Sequence, residues 1–375
     1  MSNALEKMTH NLRNAPTVLE GIKTRTTRNM IGVFFPVVPE ELIYAAGLHP
    51  VQIYPHFDEA ITEADAHLQS YLCSYLRADW DQILKGKYPY LDGAIIPRSC
   101  EAVTFLYQTW KRHKPLRFMD YLNVPWKRSA NTIRFFAKEL ERVKKNLEAF
   151  TGREISRDAL NEAIELYNSQ RALLRKAYDL RKAESPPVSG PEAISMVMSG
   201  FILDKKEHKQ LMEQFLTEIV ETPTPPKPDV RLLVSGGCVI DTGLWEMIES
   251  CGGSIVADDV INGSRSFWHV VEEGKDPLAS LARAYATVPC GFNTSVGERY
   301  AFVSKLIDEY RVDGVIFAIN RNCEAEEFDY PELDKRVRER FKIPTLFIET
   351  DYLINMEPLR TRVEAFIEIL KPEGV

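Results

Sequence analysis

Short apolar runs alternate with stretches of helical periodicity at both ends of the chain, and the middle is helical alone. Residues 5–29 read as a polar helix followed by a basic turn. The run "MIGVFFPVVP" (30–39) predicts a short strand ending in proline; Pro39 then opens a helix that Gly47 closes. Further strands are expected at 50–54, 91–97 and 116–122, with a helix at 99–114 and a stop at Pro125. From Ala130 the apolar positions recur at helical spacing through "NTIRFFAKELERVKKNLEAFTG". Ser156 is the expected N-cap of the next helix, and "ISMVMSGFILDKKEHKQLMEQFLTEIV" extends the pattern. After residue 229 the alternation returns: strand 230–235, helix "DTGLWEMIESCGG", strand "SIVADDV", helix 275–287, strand 315–319, helix 331–341, strand 343–351 and helix 356–370.

Strands that alternate with helices pair in parallel, because each crossover returns the chain to the same edge. The pattern therefore predicts an α/β protein with two doubly wound parallel-sheet domains of Rossmann or flavodoxin type, with helical material between them. The expected limits are 1–129, 130–228 and 229–375. The clearest boundary is "ETPTPPKPDV" (221–230), a polar stretch with four prolines. A length of 375 residues agrees with more than one core.

Composition changes this picture little. Hydrophobic content is 45% and charged content 27%, as in a globular chain. The net charge of −7 offers no basic surplus for nucleic acid. The longest apolar runs fall far short of a membrane span, and the first residues lack a signal-peptide pattern, so the expectation is a cytoplasmic protein.

Six cysteines are too few for a disulfide scaffold, and none forms a C-x-x-C pair. Any ligand set must be assembled from distant segments. Open parallel sheets bind ligands beyond the carboxyl ends of their strands. Cys100, Cys238 and Cys323 each fall there, shortly after an expected strand. A single cysteine is more often a buried filler than a ligand. Cys251, at a helix end facing a strand, is assigned to packing; Cys238 and Cys290 stay open. Cys100 in "PRSC" and Cys323 in "NRNC" follow an arginine, and a nearby cation favours the metal-binding thiolate. Thiolates select zinc or iron–sulfur clusters. A third thiolate, from Cys73, would leave one metal position for another ligand.

"GVIFAINRNCEAEEFDYP" followed by "IPTLFIETD" resembles the C-terminal signature of the 2-hydroxyacyl-CoA dehydratase and benzoyl-CoA reductase family. "LQSYLCSYLRADW" and "LDGAIIPRSCEAVTFLYQTWK" resemble its N-terminal cysteine regions, and further matching segments cover nearly the whole chain in order. The length resembles the smaller, β- or C-type subunit. The resemblance implies a heterodimeric core in which each subunit holds one [4Fe-4S] cluster through three cysteines; the matching positions are Cys73, Cys100 and Cys323. It also implies a larger homologous subunit, an ATP-hydrolysing iron–sulfur activator that delivers one low-potential electron, and an acyl-CoA substrate. The dehydratases expel water by way of a ketyl radical, and the reductases reduce the aromatic ring of benzoyl-CoA. "SYLCSYLR" and "DYLNVP" look closer to the reductase branch, whereas "NCEAEEFDYP" departs from the "FCDPEEYDYP" of dehydratase small subunits. The expectation is a benzoyl-CoA-reductase-type subunit, with a dehydratase β subunit as the alternative. A double-cubane relative that recruits Cys238 and Cys290, or a non-catalytic α/β binding protein, are further alternatives.

Arg98 and Arg321 would offset the charge of a thiolate cluster, unless they form ordinary ion pairs. "VSGGCVIDTG" lacks both the G-x-G-x-x-G and Walker patterns and reads as a tight strand-to-helix turn. Asp258, Asp259 and Arg265 either line the cleft or pair with one another. The histidines show no ligand spacing, and Trp80, Trp110, Trp245 and Trp268 read as packing residues.

Overall fold

The computed structural model describes residues 2–57, 59–126, 128–290 and 294–371. The expected outer domain limits at residues 1 and 375 lie outside them. Among the described residues, eight strands form two four-stranded parallel sheets. The first contains β1 (Met30–Val33), β2 (His49–Gln52), β3 (Leu91–Arg98) and β4 (Phe118–Asn123), in the order β2-β1-β3-β4. The second contains β5 (Arg231–Gly236), β6 (Ser254–Asp259), β7 (Gly314–Asn320) and β8 (Thr345–Thr350), in the matching order β6-β5-β7-β8. The central strand β7 is buried throughout, as its unbroken apolar run requires, whereas edge strand β4 alternates buried and half-buried positions.

Several expected elements divide or shift. The first polar helix is two helices, α1 (Asn3–Arg13) and α2 (Ala15–Thr26), because Pro16 restarts the chain in the first turn of the second. The strand expected over 30–39 stops at Val33; Phe35 sits at φ +58° and turns the chain into α3 (Glu40–Ala45). Gly47 closes that helix at φ +76°, a conformation that glycine adopts without strain. The long helix expected from Ile194 onward breaks at Gly200–Asp204 into α8 (Gly190–Ser199) and α9 (Lys205–Glu218), and Asp204 caps the second. These helices, with α6 (Ala130–Thr151) and α7 (Arg157–Asp179), form the expected helical middle, and Ser156 caps α7 as expected. Helix α1 packs on α8 and α9, so the N-terminus belongs to this helical layer by contact.

The remaining helices flank the sheets: α4 (Ser74–Leu84), α5 (Glu101–His113), α10 (Thr242–Ser250), α11 (Pro277–Tyr285), α12 (Val296–Tyr310), α13 (Glu324–Phe341) and α14 (Met356–Leu370). The expected elements lack α12, although Phe302, Val303, Leu306, Ile307 and Tyr310 recur at helical spacing after a Ser295–Glu298 capping box. The sequence reading also placed α13 too late: the helix begins directly after Cys323 and carries Pro331 inside it. One apolar core runs through the first sheet, the helical layer and the inner side of the second sheet. A separate cluster, with Val303, Leu306, Phe317 and Val337, fills the outer side of the second sheet. Trp80, Trp110 and Trp245 are fully buried in the main core, as their reading required.

Candidate functional site

In each sheet the chain leaves the first strand to one side and then crosses to the other, so each has a switch point between its two central strands. Loops diverge at such a point and leave a crevice beyond the strand ends. Here the two crevices share one cavity of about 60 Å³. Its walls include Phe34 and Phe35 after β1, Cys100 after β3, Cys238 after β5 and Cys323 after β7. Cys73 and Cys290 also line it, which brings five of the chain's six cysteines together. The sixth, Cys251, lies elsewhere and donates its S–H to the Met247 carbonyl at 3.2 Å, consistent with its packing assignment.

Cys73, Cys100 and Cys323 occupy the same local position. Each is the N-cap of a helix, α4, α5 and α13 respectively, and none forms a side-chain cap hydrogen bond. Most other helices carry Ser, Asp or Asn caps that bond the first-turn amides. A helix N-terminus carries partial positive charge and unpaired N–H groups, which favour a thiolate. The amides of Tyr75 and Leu76 bear on the Cys73 sulfur in this sense, and those of Ala102 and Val103 on Cys100. Asn322, at φ +62°, turns the end of β7 so that Cys323 heads α13; asparagine tolerates that left-handed conformation better than most residues.

Burial works the other way. The cysteines that open onto the cavity are half-buried, apart from the buried Cys290. Burial pushes the Cys73 thiol up to about 11 and the Cys100 thiol to about 12. Cys323 and Cys238 are raised well above the ordinary thiol range, first by burial and then by neighbouring carboxylate and thiol charges. Protonated thiols in an apolar enclosure are the state that a bound cation would reverse. Among the described residues no three His, Cys, Asp or Glu side chains stand close enough to grip a single metal ion.

Of the two readings open for the arginines, Arg321 takes the ordinary ion pair. Arg321 is half exposed and binds Glu349 at 2.6 Å and Asp351 at 3.0 Å, an ordinary surface pairing. Arg98 is exposed, and among the described residues the cavity wall contains no lysine or arginine. Positive potential at the thiols therefore comes from helix termini.

The acidic and basic residues after β6 pair with one another. Arg265 binds Asp259 at 2.5 Å and Glu326 at 3.2 Å; Arg299 binds Asp259 at 3.2 Å and Glu326 at 2.5 Å. All four are fully buried, and Asp259 is held below the usual carboxylate range by the two guanidiniums against the cost of burial. Asp258 instead faces Arg181 at 3.6 Å. Glu326 stands one helical turn after Cys323 and also lines the cavity, so this network braces one wall of the site. The sequence reading missed Glu326 and Arg299. Arg299 lies on the helix it did not see, and Glu326 carries a helical i+3 relation to Cys323 that becomes visible only once α13 starts at Glu324. Asp79, also missed, is buried and lines the opposite wall from α4. Gly236 answers the question of the glycine turn: a Cβ there would meet the Ala318 carbonyl oxygen at 2.0 Å, so glycine is required for strand packing.

The fold and site define a class: paired parallel α/β units that converge their switch points on a cluster of cysteines. The chain belongs to the 2-hydroxyglutaryl-CoA dehydratase D-component family, whose model matches residues 36–370. It is 28% identical over 351 residues to the (R)-phenyllactyl-CoA dehydratase beta subunit of Clostridium sporogenes, covering 92% of this chain and 93% of that one. It is 27% identical over 356 residues to the benzoyl-CoA reductase C-type subunit of Thauera aromatica, covering 92% of each. The (R)-2-hydroxyglutaryl-CoA dehydratase alpha subunit of Acidaminococcus fermentans is also similar, at 22% over 72% of this chain but only 58% of its own, longer length. The chain thus matches these smaller subunits over more than nine-tenths of each and the larger one in part. No helix among the described residues is long and apolar enough to cross a membrane.

Proposed function

We propose that this chain is the iron–sulfur subunit of a low-potential acyl-CoA enzyme and that Cys73, Cys100 and Cys323 hold a [4Fe-4S] cluster. The observation that carries the reading is the meeting of these three cysteines, from 250 residues of sequence, at helix N-termini around one cavity. Three thiols on one cavity wall suit a polynuclear group. A cluster bound there supplies one-electron transfer. The chain's own residues hold it and set its surroundings. The amides at the starts of α4, α5 and α13 offset thiolate charge. Phe34, Ile53, Leu72 and Ile261 keep the enclosure apolar, which restricts water. Glu326, fixed by two buried arginines, keeps the turn after Cys323 rigid.

By family, the working form pairs this chain with a larger homologous subunit, takes electrons from an ATP-hydrolysing iron–sulfur activator and acts on an acyl-CoA. The sequence favoured aromatic ring reduction of the benzoyl-CoA type. Identities of 28% to a dehydratase subunit and 27% to a reductase subunit support both branches alike, so the reading rests on what the branches share. The test is reconstitution with iron and sulfide, followed by assay with the partner and activator on benzoyl-CoA and on a 2-hydroxyacyl-CoA. A visible iron–sulfur chromophore, lost in Cys323→Ala, is expected. A chromophore that persists unchanged in Cys73→Ala, Cys100→Ala and Cys323→Ala would refute the ligand set.

A further inference from the structure

Beside the cysteine cavity lies a wider cleft of about 670 Å³ that shares Tyr54, Pro55 and Ile240 with it as common walls. Tyr88 and His56 line the cleft, and Asp79 lines the cavity. Asp79 and Tyr88 touch: the Tyr88 hydroxyl stands 3.3 Å from Asp79 Oδ1. The same hydroxyl is 3.2 Å from the Tyr54 carbonyl oxygen and 3.1 Å from Gln82 Oε1. Gln82 is held in this orientation, since its Oε1 accepts from the His56 amide at 3.0 Å and its Nε2 donates to the His56 carbonyl at 2.7 Å.

Three acceptors around one hydroxyl pose a counting problem, because a phenol has one proton to donate. An ionised Asp79 would compete with two oxygens for it and stay poorly satisfied in a buried site. A protonated Asp79 reverses the contact: the carboxyl donates to the Tyr88 oxygen, and Tyr88 donates onward to Tyr54 or Gln82. The surroundings agree. Among the described groups, an Asp79 charge acts on Tyr54, Tyr88, Tyr90, Cys73 and Cys238. Glu324 and Glu326 also line the cavity, Arg13 and Lys87 line the cleft, and His56 stacks on Tyr88 with ring centroids 6.1 Å apart. Burial alone raises the Asp79 carboxyl well above its ordinary value.

We propose that Asp79 is a neutral carboxylic acid that passes protons from the outer cleft into the cysteine cavity by way of Tyr88. The proposal rests on the reading of that cavity as a redox site, where an arriving electron calls for a proton. In the relay, Asp79 gives its proton to an anionic oxygen or sulfur in the cavity and becomes a carboxylate. The Tyr88 hydroxyl then turns from Tyr54 or Gln82 to Asp79 Oδ1 and gives it a proton, and the Tyr88 oxygen regains one from hydronium or a buffer acid in the cleft. No electron moves along this path.

Infrared difference spectroscopy on the metal-free, full-length protein near neutral pH tests it. The wild type should show the carbonyl stretch of a protonated carboxyl. That band should vanish in Asp79→Asn and shift in Tyr88→Phe, which removes the hydroxyl. In D2O the wild-type band should move as the carboxyl exchanges its proton. Tyr88→Phe should slow that exchange. No carboxyl band in the wild type, or exchange in Tyr88→Phe as fast as in the wild type, would overturn the relay. If Asp79→Asn fails to fold, the wild-type band and its response to Tyr88→Phe decide alone. Because no cluster is needed, a failure to bind iron leaves this result standing, so the two readings fail separately.

Discussion

Cys100 caps the helix after the third strand of the first sheet, and Cys323 caps the helix after the third strand of the second. The two sheets share one strand order, so these residues are topological equivalents. The helices before those strands differ. Helix α4 begins at Cys73 with no cap hydrogen bond, whereas α12 begins at Ser295 in a full capping box with Glu298. The loops after the first strands differ too: apolar Phe34 and Phe35 in one half, and Gly237 and Cys238 in the other. A capping box satisfies its own amides. A cysteine cap leaves them for a ligand. The first half thus contributes two such helix starts and the second half one, and the second half adds a buried ionic network where the first has aromatic packing.

If Cys100 and Cys323 are true equivalents, Cys100→Ala and Cys323→Ala should each remove most of the iron from a chain that otherwise carries about four, while circular dichroism stays native. Loss in only one variant would break the equivalence. The buried network sharpens the contrast next. Arg299→Met strands Asp259 and Glu326 without one cation and should cost about 3–5 kcal/mol in urea unfolding. A cost near zero would mean that the network braces nothing.

Acid should separate neutral buried groups from that network. Burial holds His49 down to about 4 and His208 to about 3. Between those values and the ordinary 6.5 the unfolded chain binds more protons than the folded one. Their stabilisation is therefore complete above that ordinary value and falls with decreasing pH, by about 1.4 kcal/mol per pH unit for each residue. The Asp259 pairing, with its carboxyl held below 3.8, should be lost only in stronger acid. Unfolding free energies that stay flat from pH 6.5 to 4.5 would contradict this. The smallest effect belongs to Arg321→Ala, where an exposed pair is worth about 0–1 kcal/mol, with no change in iron content. A large loss of iron there would restore the arginine to the site.

Much of the fold was legible because parallel strands are unbroken apolar runs and their order alternates with helical periodicity. The misreadings of β1 and α13 have local causes. Phe35 ended β1 through a left-handed turn inside an apolar run, where no polar residue marks it. Helix α12 was legible from its capping box and from apolar residues at helical spacing, so its absence from the expected elements has no physical cause. Proline at 331 suggested a helix start, but the helix already begins at Glu324. Among site residues, the cysteines were visible through their places after strands and through resemblance. Their gathering with Cys238 and Cys290 around one cavity was not, because it depends on how two sheets face each other. Asp79 and Glu326 looked like ordinary helical carboxylates; burial against the cavity is what distinguishes them.

The most direct measurement is iron and acid-labile sulfide per chain in anaerobically purified protein, for the wild type and for a variant lacking Cys73, Cys100 and Cys323. The account predicts about four irons with matching sulfide in the wild type and almost none in the variant. About eight irons in the wild type, two cubanes' worth, would draw Cys238 and Cys290 into the ligand set and contradict a single cluster. A wild type that takes up no iron after reconstitution would contradict the central claim itself.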